Sequence, residues 1–316
     1  MKKSQLLLLA SFLAILYSGA TALNETYYAS ICPNLESLVQ GAVRGTMSTS
    51  NIAAAATLQI FFHDCFVQGC DASILIQNAS GDDEQHNFDN QFVRADGYKT
   101  IMAAKAAVDA DPQCTNKVSC ADILALAARD AVFLSGGPTW KVELGRYDGK
   151  ISTSNSVNLP RASDNFDQLM SRFSVHNLTP TDLVALSGAH TLGATSCFHV
   201  NSRLYPTPDS YLDPGFAINL QGQCPAALNV NQFVLFDNSV TTFDNNYFKM
   251  LQQKKGVLFS DEVLYVDTRS SSIVDKFATD QSAFFTAFVD SMLKLGRIGV
   301  KTAVDGEIRK DCRFTN

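Results

Sequence analysis

The chain has 316 residues, 46% of them hydrophobic, enough apolar surface for one large domain or two lobes around a core. Its formal net charge is −6 and no basic cluster stands out, which argues against a nucleic-acid partner.

The chain opens on Met1-Lys2-Lys3, continues with an apolar run from Leu6 to Tyr17, and reaches Ala20-Thr21-Ala22. That order reads as a secretory signal peptide over residues 1–22, cleaved after Ala22. Its apolar run is about 12 residues, short of the ~20 needed to span a bilayer. No later stretch is long and apolar enough either, so a membrane partner is not expected. Residues 23–316 then form the mature domain, with 23 basic against 31 acidic side chains and a net charge of −8. All eight cysteines follow the signal peptide, an even number in an oxidising compartment, and read as four disulfides. Spacing singles out only the short Cys65–Cys70 bridge and leaves the other pairings open. Sequons at Asn24, Asn78 and Asn177 predict a glycosylated surface.

Strand signals are scarce and amphipathic helices frequent. Leu35, Leu38, Val39, Ala42 and Val43 have helical spacing, predicting a helix from Leu35 to Met47. A more apolar helix follows from Ala53 to His63, and its composition predicts burial on most sides. After the Cys65–Cys70 loop comes an acidic stretch without periodicity, Asn78 to Asp96. Gly97 to Ala110 reads as an Ala-rich helix. Ser119 is placed to cap a helix from Cys120 to Leu134, which stops at Gly136-Gly137-Pro138. A short extended piece then carries Trp140, read as a core residue. Phe166, Leu169, Met170 and Phe173 mark another helix. Thr179 caps one that has Pro180 at its first position, runs to Leu186 and closes at Gly188. Pro206 to Asn238 reads as loop-rich, and helices follow from Asp244 to Gln253 and from Ser282 to Leu295. With no repeat or linker, this is one mainly helical domain.

Of five histidines, His63 and His190 have neighbours that suggest chemistry. His63 ends an apolar helix beside Phe61 and Phe62, directly before the cystine-bridged acidic loop. His190 follows a capped helix in Leu186-Ser187-Gly188-Ala189-His190-Thr191, where small residues leave room for something bulky. Two imidazoles from distant parts of an all-α chain suggest a cofactor held between lobes. Zinc fits less well, because it would want three or four clustered ligands. The loop after His63 offers hard oxygens from Asp64, Asp71 and Ser73. The carbonyls of Val67 and Gly69 would help complete a six- to eight-ligand calcium shell.

The chain resembles the plant secretory (class III) haem peroxidases across its mature length. The carrying motifs are Phe62-His63-Asp64-Cys65-Phe66-Val67-Gln68-Gly69-Cys70-Asp71-Ala72-Ser73, Val118-Ser119-Cys120-Ala121-Asp122, and Asp182 through Thr191. Phe243-Asp244-Asn245, Phe259-Ser260-Asp261 and the ending Gly306 to Arg313 complete them. The resemblance implies an all-α haem-peroxidase fold with one haem b between two helical lobes. It implies His190 as the axial iron ligand and Asp261 as acceptor of that ring's other proton. His63 would be the distal acid–base, oriented by Asn90, with Phe62 beside the haem. Glu84 would link this network, through water, to the distal calcium. That calcium would be held by Asp64, Val67, Gly69, Asp71 and Ser73. A proximal calcium would take Thr191, Asp237, Thr242 and Asp244, with the expected threonine falling at Ser239 or Val240 in a shortened loop. Pro160 would help hold phenolic donors. The disulfides carry over as Cys32–Cys114, Cys65–Cys70, Cys120–Cys312 and Cys197–Cys224.

One position departs from the family pattern. An arginine is expected one helical turn before the distal histidine, on the same face, and here it is Gln59. Glutamine keeps an amide donor but no cation. The expectation is a secreted peroxidase that reduces hydrogen peroxide with phenolic donors, slowed at peroxide activation. The alternative is a haem-containing wall protein of low or no turnover, acting by binding or structure. Cell-wall polymers are further candidate partners, a monomer is expected, and the chain stops four residues after Cys312, which for this family suggests the apoplast or cell wall.

Overall fold

The computed structural model describes residues 23–227 and 231–316. The signal-peptide assignment, residues 1–22, lies outside the described residues. Twelve α-helices carry the described fold, and the only strands among the described residues are two of three residues each.

The first lobe is built from α1 (Leu35–Thr49), α2 (Ala53–Val67), α3 (Ala95–Ala110) and α4 (Cys120–Leu134). Helices α1 and α2 both pack against α3 and α4. Helix α4 is buried on nearly every side, which suits its run of Ala, Leu and Ile. Its N-terminus is held twice. The Ser119 hydroxyl accepts from the Asp122 amide, and the Asp148 carboxylate accepts from the amides of Cys120 and Ala121. Trp140 packs edge-on to Phe288 at the rim of the core, 6.3 Å between ring centroids.

The second lobe holds α5 (Phe166–Ser174), α6 (Pro180–Ser187), α9 (Asn246–Gln252), α10 (Phe259–Val266), α11 (Ser271–Thr279) and α12 (Gln281–Leu295). Helix α12 packs on α6 and reaches α2, joining the lobes. Between α6 and α9 lies a subdomain with its own small core: β1 (Ala194–Ser196), α7 (Cys197–Leu204), α8 (Pro214–Gln223) and β2 (Phe233–Leu235). The two strands pair antiparallel, Ala194 opposite Leu235. Disulfides join Cys32–Cys114, Cys65–Cys70, Cys120–Cys312 and Cys197–Cys224, the pairs that the family resemblance implies.

Four expectations need correction. Helix α2 continues a turn beyond His63 to Val67. The Cys65–Cys70 bridge folds the following loop back on the helix end, where Asp64 accepts from the amides of Ala72 and Ile74. The stretch read as loop-rich contains α8, started by the Asp213 carboxylate accepting from Phe216 N, with Pro214 at its first position. Helices α7, α10 and α11 were not anticipated. Helix α9 begins at Asn246 because the Asp244 carboxylate accepts from the Asn246 amide and so stands outside it.

Candidate active site

Helix α2 is buried apart from one face. Ala55, Gln59, Phe62 and His63, spaced i, i+4, i+7 and i+8, are half-exposed among buried neighbours and form one open stripe of the helix. Phe62 is locked by stacking on Phe66, with centroids 4.4 Å apart. The His63 Nδ1 lies 2.6 Å from Asn90 Oδ1, and the Asn90 amide nitrogen donates to the Glu84 carbonyl at 2.7 Å. The second bond fixes which way Asn90 faces. Its oxygen can only accept, so the His63 proton sits on Nδ1 and Nε2 keeps a lone pair. Burial lowers the His63 pKa to about 4, although Asn90 and Asp89 pull the other way. The ring is therefore a neutral base at physiological pH. Charge on His190 also disfavours charge on His63, so the two imidazoles share one electrostatic environment.

His190 lies in the short 3₁₀ turn Gly188–Thr191 that follows α6. Helix α6 starts in a capping box made by Thr179 and Asp182, with Pro180 at its first position, as its sequence predicts. His190 Nδ1 donates to Asp261 Oδ1 at 2.8 Å, and Asp261 is 1% exposed. The His190 side chain is 36% exposed, and Phe236 lies flat against its ring, centroids 4.2 Å apart at 6°. Both histidines thus have Nδ1 capped by a buried acceptor and Nε2 free. One imidazole whose Nδ1 is held by a carboxylate, and whose Nε2 no described residue engages, fits a haem iron.

The loop after α2 has a deficit of positive charge. Asp64, Asp71, Ser73 and Glu84 are all buried. Burial, then the charges of Asp71 and Glu84, push the Asp64 carboxyl well above the usual range. Glu84 is pushed up to about 8, chiefly by burial. The Ser73 hydroxyl lies close enough to Glu84 to ease its charge, yet Ser73 Oγ and both Glu84 carboxylate oxygens are buried without a hydrogen-bond partner. Orphaned oxygens beside repelling carboxylates fit a hard divalent cation. Among the described residues no three His, Cys, Asp or Glu side chains converge as a metal cluster, so backbone carbonyls and hydroxyls would supply the remaining ligands.

A second oxygen cluster lies next to His190. Thr191 Oγ1 is 2.8 Å from Asp237 Oδ2 and 3.2 Å from Asp244 Oδ1. Ser239 Oγ lies 3.1 Å from Asp237 Oδ1 and 3.0 Å from Asp244 Oδ1. Of the two alternatives in the shortened loop, Ser239 therefore faces the cluster. Val240 instead offers its carbonyl to the Gly193 amide.

The remaining candidates are more dispersed. Pro160 is half-buried beside Arg161, which pairs with Asp89 next to Asn90. Asn24 and Asn177 are exposed. Asn78 spends its amide hydrogens on the carbonyls of Asp82 and Ser152, so a glycan there would cost one of these bonds. Sequence reasoning missed an aromatic wall two residues from Asn90. Phe88, half exposed, meets Phe92 and Phe198 edge-on, and Phe92 stacks on Phe198 and contacts His199. The pair Phe88 and Phe92 lies more than a hundred residues from Phe198 and His199 in sequence, so nothing local hinted at a cluster. Gln59 stands on the open stripe one turn before His63, and among the described residues no hydrogen bond engages its amide. Arg94, the nearest arginine downstream of Gln59, is stacked on Phe233.

A helical, disulfide-braced fold with two such histidines in one electrostatic environment is that of a haem peroxidase. The chain belongs to the peroxidase family, whose model matches residues 39–280. It is similar to two proteins of Arabidopsis thaliana across nearly its whole length. It is 47% identical to Peroxidase 45, with 96% of each chain covered, and 45% identical to Peroxidase 16, with both covered in full. Peroxidase 51 of the same plant is 45% identical over 98% of this chain and 97% of its own. The protein is a class III peroxidase, a family that works with haem and hydrogen peroxide.

Proposed function

We propose that this chain is a secreted peroxidase that oxidises phenolic donors one electron at a time, with peroxide activation slowed by Gln59. The observation that carries the reading is the matched pair of tautomers: Asn90 holds the Nδ1 proton of His63, and Asp261 that of His190. His190 would hold the haem iron through Nε2. Haem, when bound, supplies the two-electron reduction of peroxide and returns to rest through two single-electron donors.

His63 Nε2 takes the proton from one peroxide oxygen and delivers it to the other, which leaves as water. Burial keeps this nitrogen unprotonated, and the Asn90 contact keeps the ring in place. Negative charge grows on the departing oxygen as the bond breaks, and Gln59 offers only an amide dipole there. Removing one such pre-aligned donor typically costs ~10²–10³ in rate. Asp64, Val67, Gly69, Asp71 and Ser73, with Glu84 through water, would hold one calcium. Thr191, Asp237, Ser239, Thr242 and Asp244 would hold a second. Phenolic donors would stack on the aromatic wall at Phe88, near Pro160. Residues 1–22 would direct secretion to the apoplast, and N-terminal sequencing of the mature protein should begin at Leu23.

That no described residue engages the Gln59 amide also favours a second reading, a haem protein of negligible turnover. Stopped-flow absorbance of the haem-loaded protein with peroxide separates the two. Gln59→Arg should accelerate the peroxide-dependent change by ~10²-fold or more. No acceleration would defeat the charge argument. No reaction in either protein at high peroxide would establish the second reading.

A further inference from the structure

We propose that Tyr247 is a positioning residue that sets how much negative charge the proximal histidine carries. The inference rests on His190 being the axial ligand.

Asp261 Oδ1 accepts two hydrogen bonds, from His190 Nδ1 at 2.8 Å and from the Tyr247 hydroxyl at 2.9 Å. The other carboxylate oxygen accepts the Leu258 amide at 3.1 Å. Two donors therefore draw on the same oxygen. Density that the phenol withdraws is no longer available to pull the imidazole proton, so Tyr247 limits the anionic character that Asp261 confers on His190. Tyr247 is 2% exposed, so solvent does not take over this contact. Its ring meets His190 edge-on at 6.0 Å and Phe248 at 5.1 Å, which fixes the hydroxyl's approach. Burial and the Asp261 charge hold its own pKa well above the ordinary phenol value, so it stays a donor. Because Phe236 fixes the plane of the His190 ring, loss of the phenol alters proton sharing rather than ring orientation.

The test uses the haem-loaded protein. Tyr247→Phe keeps the ring and removes the donor. In the ferrous protein the iron–histidine stretching frequency in resonance Raman spectra should rise, and the Fe(III)/Fe(II) midpoint potential should fall. Site-specific 3-fluorotyrosine at 247, a more acidic phenol and stronger donor, should move both the opposite way. A folded Tyr247→Phe protein with frequency and potential unchanged would overturn the inference. If that variant does not fold, an unchanged fluorotyrosine protein does so. His190→Gly, with and without added imidazole, separates this from the underlying reading. If iron ligation survives His190→Gly, the axial assignment has failed. If ligation is lost and imidazole restores it while the Tyr247 proteins stay unmoved, only the present inference falls.

Discussion

The chemistry at single residues follows from which hydrogen-bond partner each buried group is given. His63 and His190 are the same side chain in the same tautomer, yet one faces an amide oxygen and the other a carboxylate. That difference leaves a neutral, basic imidazole on one side and would make the imidazole on the other more electron-rich. Gln59 drew attention in the sequence one turn before His63, and among the described residues no hydrogen bond engages its amide. Glu262 was not legible. It follows Asp261 in sequence and is fully buried, and burial pushes its carboxyl from 4.5 to about 7, with Gly256 N and Arg203 offsetting part of this. Between those pH values the folded chain holds a proton that the unfolded chain releases. Stability should therefore fall as pH rises through this window and stay lower above it. Glu262→Gln should flatten the dependence, raising unfolding free energy at pH 8 by roughly 2–3 kcal/mol relative to its effect at pH 4.5. Urea unfolding at the two pH values checks it; an equal effect at both would refute the assignment.

At the scale of elements, helices with a strong apolar pattern or a start signal were readable. Ser119, Thr179 and Pro180 mark beginnings that the structure keeps. Helix α8 carried the same signal in Asp213-Pro214, but weak periodicity hid it inside a polar stretch. Helices α10 and α11 have only eight and nine residues, too short for their pattern to stand out without the core that orders them. The hold on α4 was invisible for another reason: Asp148 reaches its N-terminus from 28 positions away. Asp148 also accepts the Arg309 amide, and the Arg309 guanidinium, 0% exposed, lies 3.8 Å from it. Asp148→Ala should lower unfolding free energy by ~3–5 kcal/mol, because it leaves a buried guanidinium without its counter-charge. A urea midpoint within error of the parent's would rule this out. Removing Arg309 as well, in Asp148→Ala/Arg309→Met, should cost less than the two single losses combined.

For the whole molecule, the lobes and the tail are joined through the loop after α2. Arg309 donates to the Ala72 carbonyl, and the Cys70 amide bonds the Ile298 carbonyl, so the C-terminal segment closes over the distal oxygen cluster. Calcium bound there would relieve the repulsion among Asp64, Asp71 and Glu84 and tie the tail to α2. Chelation should lower the thermal midpoint, and added calcium should restore it better than magnesium, whose small octahedral shell suits this site poorly. Calcium at about a hundred times its dissociation constant is worth about 2.7 kcal/mol; a midpoint indifferent to chelator would exclude the site. The family, the helices with strong pattern or caps and the two singled-out histidines were readable from residue order alone. These are local in the chain or carried by motifs of fixed spacing. Packing alone brings His190 and Tyr247 to one oxygen of Asp261, turns Ser239 rather than Val240 toward the proximal cluster, and gathers four aromatic rings beside Asn90. Such contacts depend on how distant segments pack, and residue order does not encode that packing locally.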